Sequence, residues 1–368
     1  MNHSKPLCIL KVSEVPLHLY QLISGFMMLK NQGIIDLKIE ESEKKIPYNM
    51  MEVNVNNQLR VLYDANDGYD NLIKNGDRFE DFYDKLLKEY DICFKRSFSK
   101  EYNKKLTWGN KIKPLGLNYM VTIKKNWAHN IYKLDPKAEK IKKIIRKFPF
   151  SMYYNNKYLV ETFEEKPVFN ANPKILFIAR LWNPEGEELS GLPQSKIDER
   201  KEINEIRIKC IEACKKEFGD NFIGGITPSE YARKKCNHLI INDKKITNRD
   251  GYLKVMKNCD ICIATTGLHE SIGWKFGEYV AASKAIITEK LHYELPGKFR
   301  KNINYLEFDT VESCINNIYK LINDKDKRYR MMKNNYEYYK KYVKPDKLIL
   351  NTLKECIEII ESKKLTEE

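Results

Sequence analysis

The stretch that most constrains the fold is residues 258–289, NCDICIATTGLHESIGWKFGEYVAASKAIITE. A short apolar run, Asp260 to Thr265, ends in Thr-Thr-Gly, and a helical pattern then continues to about Ser283. A second apolar run covers Ala285 to Thr288. Strand, loop, helix and strand in this order predict a β-α-β unit with two parallel strands, which is the building block of α/β proteins.

Two glutamates mark the predicted helix of this unit, Glu270 near its start and Glu278 two turns later. On one helix they would lie roughly 12 Å apart along the axis and about 80° apart around it. Gly267 allows a turn before the helix, and Gly273 and Gly277 allow close approach of another backbone. The free N–H groups of a helix start favour an anion such as phosphate. The pattern therefore predicts a cradle for a sugar, a diphosphate and a ribose, with a solvated helix face as the alternative.

The segment HESIGWKFGEYVAASKAIITE resembles the E-x7-E segment of retaining, nucleotide-sugar-dependent glycosyltransferases of group 1 (family 4-like). Many members read E-G-F-G at the first glutamate, L-E-Y or L-E-A at the second, and end in G-K-P-V/I, where this chain has Ser283-Lys284-Ala285-Ile286. The resemblance is strongest over about residues 174–310. It implies the GT-B fold, in which two Rossmann-like doubly wound α/β domains face a central cleft and a C-terminal helix crosses back to the first domain.

The resemblance also implies roles for particular residues. Glu270 would contact the hydroxyls of the transferred sugar, and Glu278 would bind the ribose. The segment KILFIARLWNPEG resembles the family's G-R-L-x-x-x-K-G, so Arg180 would hold the donor diphosphate, with an ion pair as the alternative. Glu270 and Arg180 are thus the implied catalytic residues. The implied donor-binding residues are Gly267, Leu268, His269, Ser271, Ile272, Gly273, Lys275 and Glu278.

The chain departs from the family pattern in two places. Glu185 stands where the family has a second diphosphate-binding lysine, and the first loop, Ser13 to His18, lacks the usual glycine-rich turn. Either another cation replaces that lysine or the donor is held differently. Lys275 is one candidate, and the Lys196–Arg207 region offers others, namely Arg200, Lys201 and Arg207. Both departures leave open a second interpretation, a non-catalytic GT-B-like protein that binds a nucleotide sugar or a glycan.

Polar residues at or just after the predicted strands of the first half are the predicted acceptor contacts, because open α/β sheets bind ligands at the carboxyl ends of their strands. They are Glu14, His18, Asp64, Asp67, Arg96 and Asn118. The resemblance implies a glycan or lipid-linked acceptor, a UDP- or GDP-sugar donor, and retention of configuration without a cofactor or metal. It also implies a place in cell-surface polysaccharide or glycoconjugate biosynthesis. From position alone, we expect the base to be recognised near Thr247 to Tyr252.

The net charge of +14 predicts an anionic partner. The nucleotide-sugar phosphates, an anionic membrane face and nucleic acid are the options, and no nucleic-acid-binding signature supports the last. No G-x-G-x-x-G follows the first strand, which excludes a typical dehydrogenase. We expect a cytoplasmic protein, since no apolar run reaches 18 residues and the start does not resemble a signal peptide. The basic residues 119–150 predict either a surface helix or peripheral contact with the inner membrane face.

The pattern of strands and helices predicts three parts: residues 1–168 as an acceptor-binding domain, 169–345 as a nucleotide-sugar-binding domain, and 346–368 as a helix packed toward the first domain. Within the second part, Leu181 to Arg200 is expected to be a loop and His238 to Ile241 a strand. The nine cysteines are predicted to be structural thiols, because the single C-x-x-C lacks a second pair for zinc.

Overall fold

The computed structural model describes residues 5–13, 15–73, 77–129, 158–185 and 192–367. Two of the predicted features lie outside this part of the chain: Glu14, and residues 130–150 of the basic segment. Within the described part, no helix is both long and apolar enough to cross a membrane.

The first sheet has six strands in the order β2-β1-β3-β4-β5-β6. They are β1 Leu7–Val12, β2 Asp36–Glu41, β3 Met50–Val55, β4 Leu59–Asp64, β5 Ile92–Lys95 and β6 Ile112–Pro114. All neighbours pair in parallel except β3, which is antiparallel to β1 and β4. A tight three-residue turn, Asn56 to Gln58, joins β3 to β4, with Asn56 and Asn57 at φ 54° and 55°, a length common in β-hairpins. The sequence analysis missed β3.

The second sheet is entirely parallel, with five strands in the order β11-β10-β9-β7-β8. They are β7 Ile175–Ala179, β8 Phe222–Ile226, β9 Ile261–Ala264, β10 Ala285–Thr288 and β11 Tyr305–Glu307. Strands β7, β9 and β10 are almost fully buried apolar runs, as expected where helices cover both faces of a parallel sheet. The predicted fold class, α/β with two Rossmann-like domains, is confirmed.

Twelve α-helices connect and cover the sheets within the described residues. They are α1 Tyr20–Asn31, α2 Phe79–Leu87, α3 Lys100–Asn103, α4 Val160–Phe163, α5 Gln194–Phe218, α6 Glu230–Cys236, α7 Lys244–Thr247, α8 Arg249–Lys257, α9 Trp274–Ala281, α10 Val311–Asn323, α11 Lys325–Tyr338 and α12 Pro345–Glu367.

The C-terminal helix α12 returns to the first domain, as the GT-B resemblance implies. Its Leu353 and Cys356 are buried in the same core as β1 and β4. The Tyr63 hydroxyl of β4 lies 2.7 Å from the Thr352 hydroxyl. Gly25 of α1 leaves no room for a Cβ against the start of α12, so this glycine lets the two helices pack closely.

Two predicted elements were wrong. Helix α5 begins at Gln194, inside the predicted loop. Its first turns were not predicted because they are polar and carry no apolar periodicity. The expected strand at His238 to Ile241 is instead a 3-10 turn, Asn237–Leu239, followed by a single bridge from Ile240 to Ile226. All nine cysteines are buried free thiols.

Candidate functional site

A cleft of about 630 Å³ lies between the two domains. Its second-domain wall is formed by the carboxyl ends of β7, β9 and β10, and its first-domain wall carries His18, Asp67, Asn71 and Arg96. The cleft thus occupies the place where open α/β sheets bind ligands.

The loop from Gly267 to Gly273 forms one side of the cleft, and we call it the donor loop. Helix α9 begins only after Gly273, so the prediction that Glu270 and Glu278 share one helix was wrong. Glu270 follows His269 in a 3-10 turn, and both have left-handed backbones with φ 56° and 59°. Such a turn cannot continue into a right-handed helix, so Glu270 reaches the cleft from a loop.

Glu278 is buried in α9, with 2% of its surface exposed. Its Oε1 accepts a hydrogen bond of 2.8 Å from Nη2 of Arg249, which begins α8. Its Oε2 is buried and has no hydrogen-bond partner among the described residues. A buried carboxylate oxygen without a donor is costly, so this oxygen is free to accept a hydrogen bond from a bound group.

The Arg249 side chain is itself fixed by aromatic rings. Its guanidinium lies 4.9 Å from the ring centre of Phe163, 5.1 Å from that of Tyr158 and 5.5 Å from that of Tyr252. Sequence reasoning placed base recognition near Thr247 to Tyr252, which includes Arg249, but it did not foresee the pairing with Glu278.

Three cations line the second-domain wall and form no ion pair with a carboxylate of the described residues. Within the described part of the chain, the contacts of Arg180, Arg207 and Lys275 are to neutral groups. Arg180 lies 3.7 Å from the ring centre of Trp182, and Lys275 donates to the Ile178 carbonyl.

Burial weakens the charged forms of all three cations, and repulsion from neighbouring cations adds to it for Lys275 and Arg207. Burial, opposed by the Glu278 carboxylate and assisted by Arg207 and Arg180, lowers the pKa of Lys275 to about 8. Burial also lowers the pKa of Arg207 to about 10, opposed by Glu289 and assisted by Arg180. Desolvation lowers the pKa of Arg180, and Asp67 across the cleft opposes this. The charge of these three cations is therefore only partly balanced by the carboxylates of Glu278, Glu289 and Asp67.

Arg207 also ties two loops of this wall together. It donates to the Thr265 hydroxyl at 2.9 Å, to the Arg180 carbonyl at 2.7 Å and to the Thr266 carbonyl at 3.0 Å. It is 7% exposed, so it supports the loops after β7 and β9 from behind.

The charged groups of the first-domain wall are paired. Arg96 is 5% exposed; its Nη1 lies 2.8 Å from Asp67 Oδ1, and its Nη2 donates to the Ile272 carbonyl at 2.6 Å. Its Nη1 also lies 3.3 Å from Nδ1 of His18, whose ring contacts Trp274 at 4.7 Å. Burial and Arg96 lower the pKa of His18 to about 4. His18 is therefore neutral at pH 7.

Two predicted acceptor residues do not line the cleft. Asp64 is completely buried and accepts hydrogen bonds from Lys95 at 2.7 Å, Tyr83 at 2.8 Å and Asn66 at 2.9 Å. Asn118 is 3% exposed and accepts from the indole N–H of Trp274 at 3.0 Å. Asp64 is therefore part of a structural ion pair, and Asn118 forms a hydrogen bond to the second domain. Side chains from other elements cover both residues.

Of the two glycines predicted to allow close approach of another backbone, Gly277 does so and Gly273 does not. A Cβ on Gly273 would meet nothing within 4 Å, so this glycine faces open space. A Cβ on Gly277 would lie 3.2 Å from the Asn118 carbonyl and 3.2 Å from the Tyr119 Cβ. Gly277 therefore allows α9 to pack against the first domain.

The remaining predicted residues converge on one cleft. Arg180, Glu270 and every predicted donor-binding residue line it, as do three predicted acceptor residues, His18, Asp67 and Arg96. Glu185, at the position of the family lysine, does not line it. The sequence analysis missed His292, whose Nδ1 lies 3.3 Å from Glu270 Oε1, because no motif joins residues on separate loops.

No protein-family profile matches the chain, and neither does any curated protein. Among solved structures, Anabaena Alr3699/HepE in complex with UDP is 11% identical with a TM-score of 0.43, covering 95% of this chain and 98% of that one. A point mutant of S. aureus TarM in complex with fondaparinux, α-GlcNAc-glycerol and UDP is 10% identical with a TM-score of 0.42, covering 90% and 53%. The C-terminal domain of a glycosyl transferase group 1 family protein (LpcC) from Francisella tularensis is 18% identical with a TM-score of 0.29, covering 49% and 95%. Similarity at this level does not assign an activity.

Proposed function

We propose that the cleft binds a nucleotide sugar and that the protein is a glycosyltransferase acting on a glycan or lipid-linked acceptor. The observation that carries this proposal is the set of cations on the second-domain wall, Arg180, Arg207 and Lys275, whose contacts are neutral groups and whose pKa values are lowered. A diphosphate brings the negative charge that such a wall lacks.

The donor would lie along this wall in a defined order. The diphosphate would contact Arg180, Lys275 and the N–H groups at the start of α9. The ribose hydroxyls would donate to Oε2 of Glu278, which has no partner among the described residues. The sugar would lie against Glu270, half-exposed on the donor loop. This order is the one that the resemblance to the E-x7-E enzymes implies, and its support is that all of these residues line one cleft.

The transfer itself would exchange one bond for another. The acceptor oxygen forms a bond to the anomeric carbon, the bond from that carbon to the diphosphate oxygen breaks, and the acceptor proton passes to the leaving phosphate. Arg180 and Lys275 offset the charge that develops on the diphosphate. Attack on the face from which the diphosphate leaves would retain the configuration, as the resemblance to the E-x7-E enzymes implies.

We further propose a UDP- or GDP-hexose donor and no requirement for a metal, because fixed cations would supply the charge that a divalent ion supplies in other transferases. The first-domain wall, with Asp67, Asn71 and His18, would receive the acceptor. A place in cell-surface polysaccharide or glycoconjugate synthesis at the cytoplasmic face of a membrane, with peripheral contact through residues 119–150, belongs to the same proposal.

A thermal-shift panel tests the proposal. UDP, GDP and their hexose conjugates are added to the full chain and to Glu278→Ala, since a ligand stabilises the folded state by mass action. A rise in Tm with one nucleotide series that is lost in the variant supports the donor site. Binding without turnover of any nucleotide sugar would favour the non-catalytic interpretation, and no shift with any compound would remove the proposed function.

A further inference from the structure

The donor loop holds two consecutive residues in a backbone conformation that side chains disfavour. His269 and Glu270 have φ values of 59° and 56°. A non-glycine residue is disfavoured in this region and persists only where its surroundings impose the conformation. Contacts that hold these two residues are therefore part of how Glu270 reaches the cleft.

Three segments of the chain hold His269. Its backbone N–H donates to Glu199 Oε1 at 2.5 Å, and its carbonyl accepts from the Tyr293 hydroxyl at 2.8 Å. Its ring Nδ1 lies 2.6 Å from Oδ1 of Asp70. Glu199 and Tyr293 belong to the second domain, whereas Asp70 comes from the first domain, on the loop after β4.

Asp70 is itself oriented for this contact. Its Oδ2 lies 2.6 Å from the Lys196 ammonium, which also lies 3.2 Å from His269 Nδ1 and 3.7 Å from Glu199 Oε2. Burial raises the pKa of Asp70, but hydrogen bonds from His269 and Lys196 outweigh it and hold the pKa well below its usual range. Asp70 is thus an anion between two partners of the opposite domain.

A glycine makes this approach possible. Gly68 lies two residues before Asp70 with φ +63°, and a Cβ there would lie 2.8 Å from the Cβ of His269. The loop after β4 therefore fits against the donor loop only with a glycine at this position. The fit is independent of the charges and places the same two loops together.

We propose that Asp70 is a positioning residue. It fixes the left-handed turn at His269 and Glu270 from the opposite domain, and so directs Glu270 toward the transferred sugar. The functional part of this inference rests on the proposed function, while the structural part does not. Asp70 acts through His269, and the nucleotide contacts at Arg180, Lys275 and Glu278 do not depend on it.

Amide hydrogen exchange of the full chain tests the structural part. Asp70→Ala should speed exchange in peptides covering residues 265–273 by roughly tenfold, since the loop loses a charge-assisted bond. Asp70→Asn, which keeps an acceptor oxygen, should fall between Asp70→Ala and the wild type. Asp77→Ala, at an exposed aspartate before α2, is the matched control and should change nothing. Unchanged exchange of the β1 peptide would show that each variant is folded.

The functional part has its own measurement. Asp70→Ala should leave the Kd of UDP or GDP unchanged and lower kcat for the matching nucleotide hexose, with recovery in Asp70→Asn. Wild-type exchange in the donor loop of Asp70→Ala would overturn the inference. A faster-exchanging loop together with unchanged kcat would also overturn the assigned role. If no nucleotide binds the wild type, the proposed function is contradicted. The hydrogen-exchange result would still test the structural part of the inference, because that part does not depend on nucleotide binding.

Discussion

The second-domain wall of the cleft and its first-domain wall differ in how their charged groups are paired. On the second-domain wall, Arg180 and Lys275 contact neutral groups and Glu278 keeps one oxygen without a donor among the described residues. On the first-domain wall, Arg96 forms an ion pair with Asp67 and donates to the Ile272 carbonyl, although Asp67 Oδ1 accepts no hydrogen bond among the described residues. The difference teaches that unsatisfied charge, more than charge itself, indicates where a ligand with phosphates and hydroxyls belongs.

The buried ion pair beneath the first-domain wall gives the largest predicted effect. Asp64 and Lys95 are both 0% exposed and 2.7 Å apart. Asp64→Leu should lower the free energy of unfolding by about 3–5 kcal/mol, because it leaves a buried ammonium unpaired. Denaturant unfolding measures this. Adding Lys95→Met should restore much of the loss, and the same deficit in the double variant would contradict a structural pair.

In contrast to Asp64, substitution of Glu270 should reduce activity and leave stability unchanged. Glu270→Gln should reduce kcat by about 10²–10³-fold, because the sugar loses an ionised acceptor in the transition state. Stability should not change, since the side chain is half-exposed. Turnover of the nucleotide hexose identified in the panel measures the effect, with Glu202→Gln on the outer surface of α5 as control. Full activity in Glu270→Gln would show that the motif is misassigned.

Lys275 should control donor affinity and its pH dependence. Lys275→Met should weaken UDP or GDP binding by about 10–100-fold, the expected loss of a bond between charged groups. Because the pKa of Lys275 is lowered to about 8, the amine is protonated below pH 8 and affinity should fall as pH rises above it. Calorimetry across this range tests both points. The exposed control Lys254→Met should keep the wild-type profile, and a pH slope that survives in Lys275→Met would contradict the assignment.

The smallest expected effect is that of chelation. If Arg180, Arg207 and Lys275 neutralise the diphosphate, EDTA should leave turnover unchanged. Initial rates with and without EDTA, and after adding back Mg²⁺ or Mn²⁺, measure this. A loss of activity that Mg²⁺ or Mn²⁺ restores would show that the cations of this wall are insufficient.

The fold followed from local patterns where those patterns were strong. Apolar runs such as Ile175–Ala179 and Ala285–Thr288 are strands, and the final helix packs back on the first domain. Strand β3 was missed because Glu52 and Asn54 interrupt its apolar run. In the structure it pairs with β1 on one side and β4 on the other. Helix α5 was shortened because a polar helix start gives no periodic signal.

Site residues that belong to a sequence motif were predicted. Contacts between residues that are distant in the sequence were not. Arg180 and Glu278 line the cleft as expected, whereas the Arg249–Glu278 and Asp70–His269 contacts join residues on separate elements. Asp64 was placed correctly at a strand end, but Tyr83 and Lys95 cover it. Position along a strand does not predict burial by side chains from other elements.

The most direct test of the comparison is the affinity of the full chain for the nucleosides and their phosphates. Isothermal titration calorimetry is run with uridine, UMP and UDP, and with guanosine, GMP and GDP. If Arg180 and Lys275 form a diphosphate site, the diphosphate of one series should bind at least about tenfold more tightly than its monophosphate, and the nucleoside weakest. Equal affinity across that series, or no binding in either, would contradict a diphosphate site on the second-domain wall.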